Sequence, residues 1–65
     1  MPEDSAHHLR TLAADAEALQ QRLRDALAGL DGMTPAISFQ LGEASASLGS
    51  AARTLEAAAS EAAAA

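Results

Sequence analysis

The side chains with the types and spacing for chemistry gather at the start of the chain. His7 and His8 follow Glu3 and Asp4. A metal ion needs several ligands converging on one point. Adjacent histidines on a helix point about 100° apart, so His7 and His8 cannot share an ion well. Glu3 with His7, or Asp4 with His8, has the better spacing but supplies only two ligands, and the expectation is a solvated first turn with no metal. Hydroxyls are the next candidates. Ser38, Ser45, Ser47, Ser50 and Ser60 lie in the second half of the chain and both histidines in the first. A chain folded back on itself would carry His8 toward Leu55–Ser60, but no third group is present to orient a Ser60–His8 pair. With no cysteine, a thiol nucleophile, a disulfide and a Cys-based zinc site are all excluded. Gly29-Leu30-Asp31-Gly32 lacks the spacing and the lysine of a phosphate-binding loop. The reading is therefore of a chain with no catalytic residues, no cofactor and no small-molecule substrate.

Composition says what must position these residues. Nineteen of 65 residues are alanine and nine are leucine, while Val, Trp, Tyr, Lys and Asn are absent. The best helix formers dominate and strand formers are nearly missing, so the chain reads as all-α. Nine acids against four arginines give a net charge of −5. Without lysine such a chain neutralises phosphates poorly, which argues against a nucleic-acid partner. No uncharged apolar run approaches the roughly 20 residues of a membrane span. Met1-Pro2-Glu3-Asp4 lacks the basic start and apolar block of a secretory signal. The expected location is the cytoplasm, with signal-free export left open.

Helix-stopping residues cluster only at Gly29–Pro35. Gly29 or Gly32 can adopt the left-handed conformation that ends a helix. Thr34-Pro35 supplies an N-cap hydroxyl and then a proline at the first helical position. The spacing predicts a first helix over about 5–29, a turn over about 30–34 and a second helix over about 35–62. Asp4 or Ser5 is the expected cap of the first. Apolar residues recur in heptads at Leu9, Leu12, Ala16, Leu19, Leu23, Ala26 and Leu30, with Leu27 beside them. A second series runs through Ile37, Leu41, Ala44, Leu48, Ala51, Leu55, Ala58 and Ala62. The two series fit face to face if paired residue numbers sum to about 64. That register sets Leu27 on Ile37, Leu23 on Leu41, Ala16 on Leu48 and Leu9 on Leu55. The predicted fold is an antiparallel, coiled-coil-like two-helix hairpin. The alanine-rich end from Ala57 has little to pack with and is expected to fray.

A hairpin of 65 residues buries little on its own. It is expected to be completed to a four-helix bundle, either by a second copy or by a helix of another protein. Ser38, Gly42, Ser45, Gly49 and Ala52 form a strip of small residues that either accommodates the first helix or docks a partner. Phe39, the only aromatic residue, falls on the outer face of the heptad count, or else folds over the turn near Met33. The candidate partner-binding residues are thus Phe39, Gly42, Gly49, Leu41, Leu48, Leu19 and Leu23. Function is read as a non-enzymatic protein–protein interaction module, an adaptor or scaffold that self-associates or binds a partner helix.

Two segments carry a family resemblance. Leu19-Gln20-Gln21-Arg22-Leu23-Arg24-Asp25-Ala26-Leu27-Ala28 and Ala52-Arg53-Thr54-Leu55-Glu56, set in a hairpin of this length, resemble the small two-helix co-chaperones that guard needle subunits in type III secretion. The resemblance implies an alternative function: holding an aggregation-prone helical partner together with a second chaperone. The middle of this chain is richer in Gly and Ser than that pattern.

Overall fold

A computed structural model describes residues 2–29 and 32–64, and the side chains of all of these except Pro2 and Glu3. Two helices are present, α1 (Pro2–Gly29) and α2 (Pro35–Ala64), with no strand among the described residues. The start of α2 follows from local chemistry. The Ile37 amide donates to Thr34 Oγ1 at 3.2 Å, and the Ser38 amide donates to the Thr34 carbonyl at 3.0 Å. Thr34 is therefore the N-cap and Pro35 occupies the first helical position, where no amide proton is missed. Gly32 has φ +73°, in the left-handed region that costs glycine little. At the other end the expected boundary needs correction. α1 begins at Pro2 rather than near residue 5, so Asp4 and Ser5 lie inside the helix and neither caps it. Leu30, expected as the last apolar position of the first series, falls outside the described residues.

The helices lie antiparallel, and one side-chain bond records their register. Gln20 Nε2 donates to the Ser45 carbonyl at 2.8 Å. The two numbers sum to 65, close to the expected 64. At one shared rise per residue, this bond sets Ala13 level with Ala52 and Ala6 level with Ala59. All four of those alanines are buried, as is Ser45. Between these small-residue layers fall Leu9 with Leu55, Ala16 with Leu48 and Leu23 with Leu41, all half-buried.

The seam therefore runs through Ala6, Leu9, Ala13, Ala16, Gln20, Leu23 and Leu27 on α1. On α2 it runs through Leu41, Ser45, Leu48, Ala52, Leu55, Ala59 and Ala62. This corrects the expected faces. Leu12, Leu19 and Ala26 were assigned to the first seam, and Ile37, Ala44 and Ala51 to the second; all six are exposed. Each helix is rotated so that an alanine-rich row replaces one of its apolar rows. Close approach explains the substitution. A Cβ added to Gly49 would sit 2.5 Å from Gln20 Nε2, so the amide in its present position on the Ser45 carbonyl uses the space left by the missing side chain, and an alanine there would make it shift. The alanine-rich end also packs better than expected, since Ala59 is buried and α2 continues to Ala64.

The hairpin measures 49 × 15 × 10 Å, with a radius of gyration of 15.0 Å. A compact chain of this length would have about 11 Å. The molecule is one layer of two helices, and among the described residues no large side chain is fully buried.

Thr34→Ala should remove about 1 kcal/mol, lowering the melting temperature by roughly 4–8 °C at fixed protein concentration. The Gln20–Gly49 contact predicts a reversal of sign. Gly49→Ala gains about 1 kcal/mol of helix propensity but displaces the Gln20 amide, so it should be neutral or destabilising in the natural chain. In a Gln20→Ala background the same change should stabilise by about 1 kcal/mol. Equal effects in both backgrounds, measured by urea denaturation, would show that Gln20 does not hold the seam.

Candidate functional site, an open apolar flank

The seam divides the hairpin surface into two unlike sides. In an antiparallel pair, reversing one chain brings equivalent flanking positions of the two helices to the same side. The positions just after the seam leucines and Ala16 are Arg10, Glu17 and Arg24 on α1, with Gly42, Gly49 and Glu56 on α2. This side is polar and lies over the small-residue layers. Gln20 folds across Gly49 here, and among the described residues no buried side-chain N or O lacks a partner.

The opposite side carries the residues just before the small-residue layers. These are Leu12, Leu19 and Ala26 on α1, and Ile37, Ala44, Ala51 and Ala58 on α2. Leu12 is 39% exposed, Leu19 47% and Ile37 47%. The seam leucines Leu9, Leu23, Leu41, Leu48 and Leu55 sit toward this same side. That position explains why they are only half-buried while the alanines behind them are closed off. Of the two leucine series read from sequence, the Leu9–Ala16–Leu23 and Leu41–Leu48–Leu55 rows meet across the seam, and the Leu12–Leu19–Ala26 and Ile37–Ala44–Ala51 rows do not. Those two exposed rows run side by side along one open flank.

The partner-binding candidates divide accordingly. Leu19 lies on the open flank, and Leu23, Leu41 and Leu48 form its half-buried floor. Gly49 is buried under Gln20 and belongs to the contact within the hairpin, so the strip Ser45–Gly49–Ala52 accommodates α1. Gly42 is exposed, with nothing within 4 Å of an added Cβ. Phe39 is 67% exposed and stands on the polar side, away from Ile37. Leu12 and Ile37 complete the flank but were read as seam residues. Their one usable signal was Gln20, a polar residue whose heptad row includes the small Ala6 and Ala13.

The chemistry-bearing residues stay apart. His7 and His8 are both exposed, on different sides of α1. Ser60 is exposed on the polar side of α2, and His8 points to the other side. Among the described residues no three His, Asp or Glu groups converge, and no pocket is present. Among the described residues no helix is long and apolar enough to cross a membrane. No protein-family model, curated protein or solved structure matches the chain.

With two thirds of its surface in solvent, Phe39 contributes little to the hairpin itself. Phe39→Ala should change unfolding free energy by no more than about 0.5 kcal/mol. A larger loss in thermal denaturation would place Phe39 in an intramolecular contact.

Proposed function

We propose that this chain is a non-enzymatic helical interaction module whose open flank is covered by another apolar helical surface. One observation carries the reading: Leu12, Leu19 and Ile37 are exposed in a row, while alanines occupy the closed seam. Burying a leucine or isoleucine is worth about 1.5–3 kcal/mol. This chain places its smallest apolar residues inside the hairpin and leaves four large ones outside, three of them along the open flank and Phe39 on the other side. Soluble monomers rarely expose contiguous apolar patches larger than a few hundred Å², and an apolar row beside half-buried leucines is where such a patch would form. The covering helices come from a second copy or from another protein. In the co-chaperone form of the reading, they belong to an aggregation-prone subunit.

Size-exclusion chromatography with light scattering, with a pull-down from the native host, tests this reading. Leu19→Glu, alone and with Leu12→Glu, should cut association at least tenfold, because a carboxylate on the flank would have to be desolvated. Circular dichroism at matched concentration checks that the variants are still helical. Phe39→Ala, on the other side, should associate like the natural chain. Undiminished association of the helical double variant would sink the proposal, and loss on Phe39→Ala alone would move the contact to the polar side.

A further inference from the structure

Resting on that reading, we propose that the flank is covered by a second copy of this chain, laid antiparallel across a two-fold axis that passes beside Leu19 and between Ser47 and Leu48. The two-fold demands that each residue row complement itself. On α1 the row is Leu12, Leu19, Ala26, in steps of seven. An antiparallel copy centred on Leu19 sets Leu19 on its counterpart and Leu12 on Ala26, long against short at both outer contacts. On α2 the row is Ile37, Ala44, Ala51, Ala58. Centred between Ser47 and Leu48, it sets Ile37 on Ala58 and Ala44 on Ala51, again without two large groups colliding.

The two centres coincide in height, which independent rows need not do. The Gln20–Ser45 register places Leu19 level with Ala46. The centre on α2 is one and a half residues away, about 2 Å. Side chains tilt toward the N-terminus of their own helix, and in antiparallel helices this tilt moves the two centres toward each other. One axis therefore serves both rows.

Charge selects this alignment from its nearest competitor. Asp15 and Arg22 are the exposed residues on the outer rim of the α1 row. Centred at Leu19, each Asp15 falls within a residue of the partner copy's Arg22, giving two symmetric opposite-charge contacts. Sliding the copy by one heptad pairs Leu12 with Leu19 but sets Asp15 against itself. The matching rim of α2 holds Gln40, Ser47 and Thr54 near the centre, all uncharged.

The test uses the full chain and a charge-reversal cycle read by sedimentation equilibrium. The natural chain should be a dimer. Asp15→Arg alone and Arg22→Asp alone should each weaken it roughly 3- to 10-fold, since each creates two like-charge contacts. The double variant should recover to within about twofold. Each variant keeps its helical circular dichroism, because both positions are exposed. Cysteine cross-linking locates the axis independently, in a chain that has no cysteine of its own. Leu19→Cys should form a disulfide-linked dimer on mild oxidation. Leu12→Cys should not, because its counterpart lies fourteen residues along the helix, about 21 Å away. A monomeric natural chain that loses a foreign partner on Leu19→Glu would overturn this proposal and leave the interaction module standing. A dimer that cross-links through Leu12→Cys, or that the double variant fails to restore, would overturn the axis. Indifference of all association to Leu19→Glu would remove both.

Discussion

The Gln20 amide resting on the Ser45 carbonyl is the contact from which the arrangement of this hairpin follows. Within a helix that carbonyl already accepts an amide proton from the next turn. Its second lone pair is free, and Gln20 occupies it. The approach needs a gap in the side-chain surface of α2, which Gly49 provides at a cost of roughly 1 kcal/mol in helix propensity. Once Gln20 is turned inward, the heptad places Ala6, Ala13 and Leu27 in its row, and Leu12 and Leu19 are turned outward. A single polar contact thus decides which of two available apolar rows closes the hairpin. It is also directional, as alanine packing is not, and it separates this register from one slid by a heptad.

The rotation gives the hairpin its two characters. On one side, arginines, acids and glycines lie over closed alanine layers, and every buried polar side-chain atom described is satisfied. On the other, half-buried leucines form a floor with Leu12, Leu19 and Ile37 standing along it. A seam of leucines would have buried these groups within one chain and left alanine outside. The observed choice leaves a row of apolar residues uncovered along one side, while Phe39 alone stands exposed on the other.

Much of the fold could be read from local chemistry. Thr34-Pro35 and Gly32 act through their own backbone bonds, so the turn and the start of α2 follow from the sequence nearby. The antiparallel register was legible too, because Leu9 with Leu55 and Leu23 with Leu41 stay level whichever row completes the seam. The face was not legible. Leucine outweighs alanine in any count of hydrophobicity, and the Leu12–Leu19–Ala26 row repeats with the same period as Ala6–Ala13–Gln20. Periodicity alone cannot rank two rows of equal period. The deciding fact is a tertiary contact between Gln20 and a glycine 29 residues away, and Gly49 entered the reading only as one member of a smooth strip. The start of α1 has a simpler cause: Pro2 is itself compatible with a first helical position, so the helix begins before the Asp4 and Ser5 cap candidates.

The place of the Gln20–Ser45 bond along the hairpin bears on how the chain finds its register. Paired residues grow further apart in sequence with distance from the turn, and the entropy lost on closing the intervening loop grows with them. Leu23 and Leu41 are separated by 18 residues, Gln20 and Ser45 by 25, and Ala6 and Ala59 by 53. Loop entropy therefore favours the contacts nearest Gly32, by a fraction of a kcal/mol per step. The Gln20–Ser45 contact closes a shorter loop than the alanine layers at Ala13 and Ala6. Those outer layers resemble one another and would tolerate a slip, whereas the directional Gln20–Ser45 bond would be lost by one. The register is thus marked close to the turn, ahead of the most repetitive part of the chain.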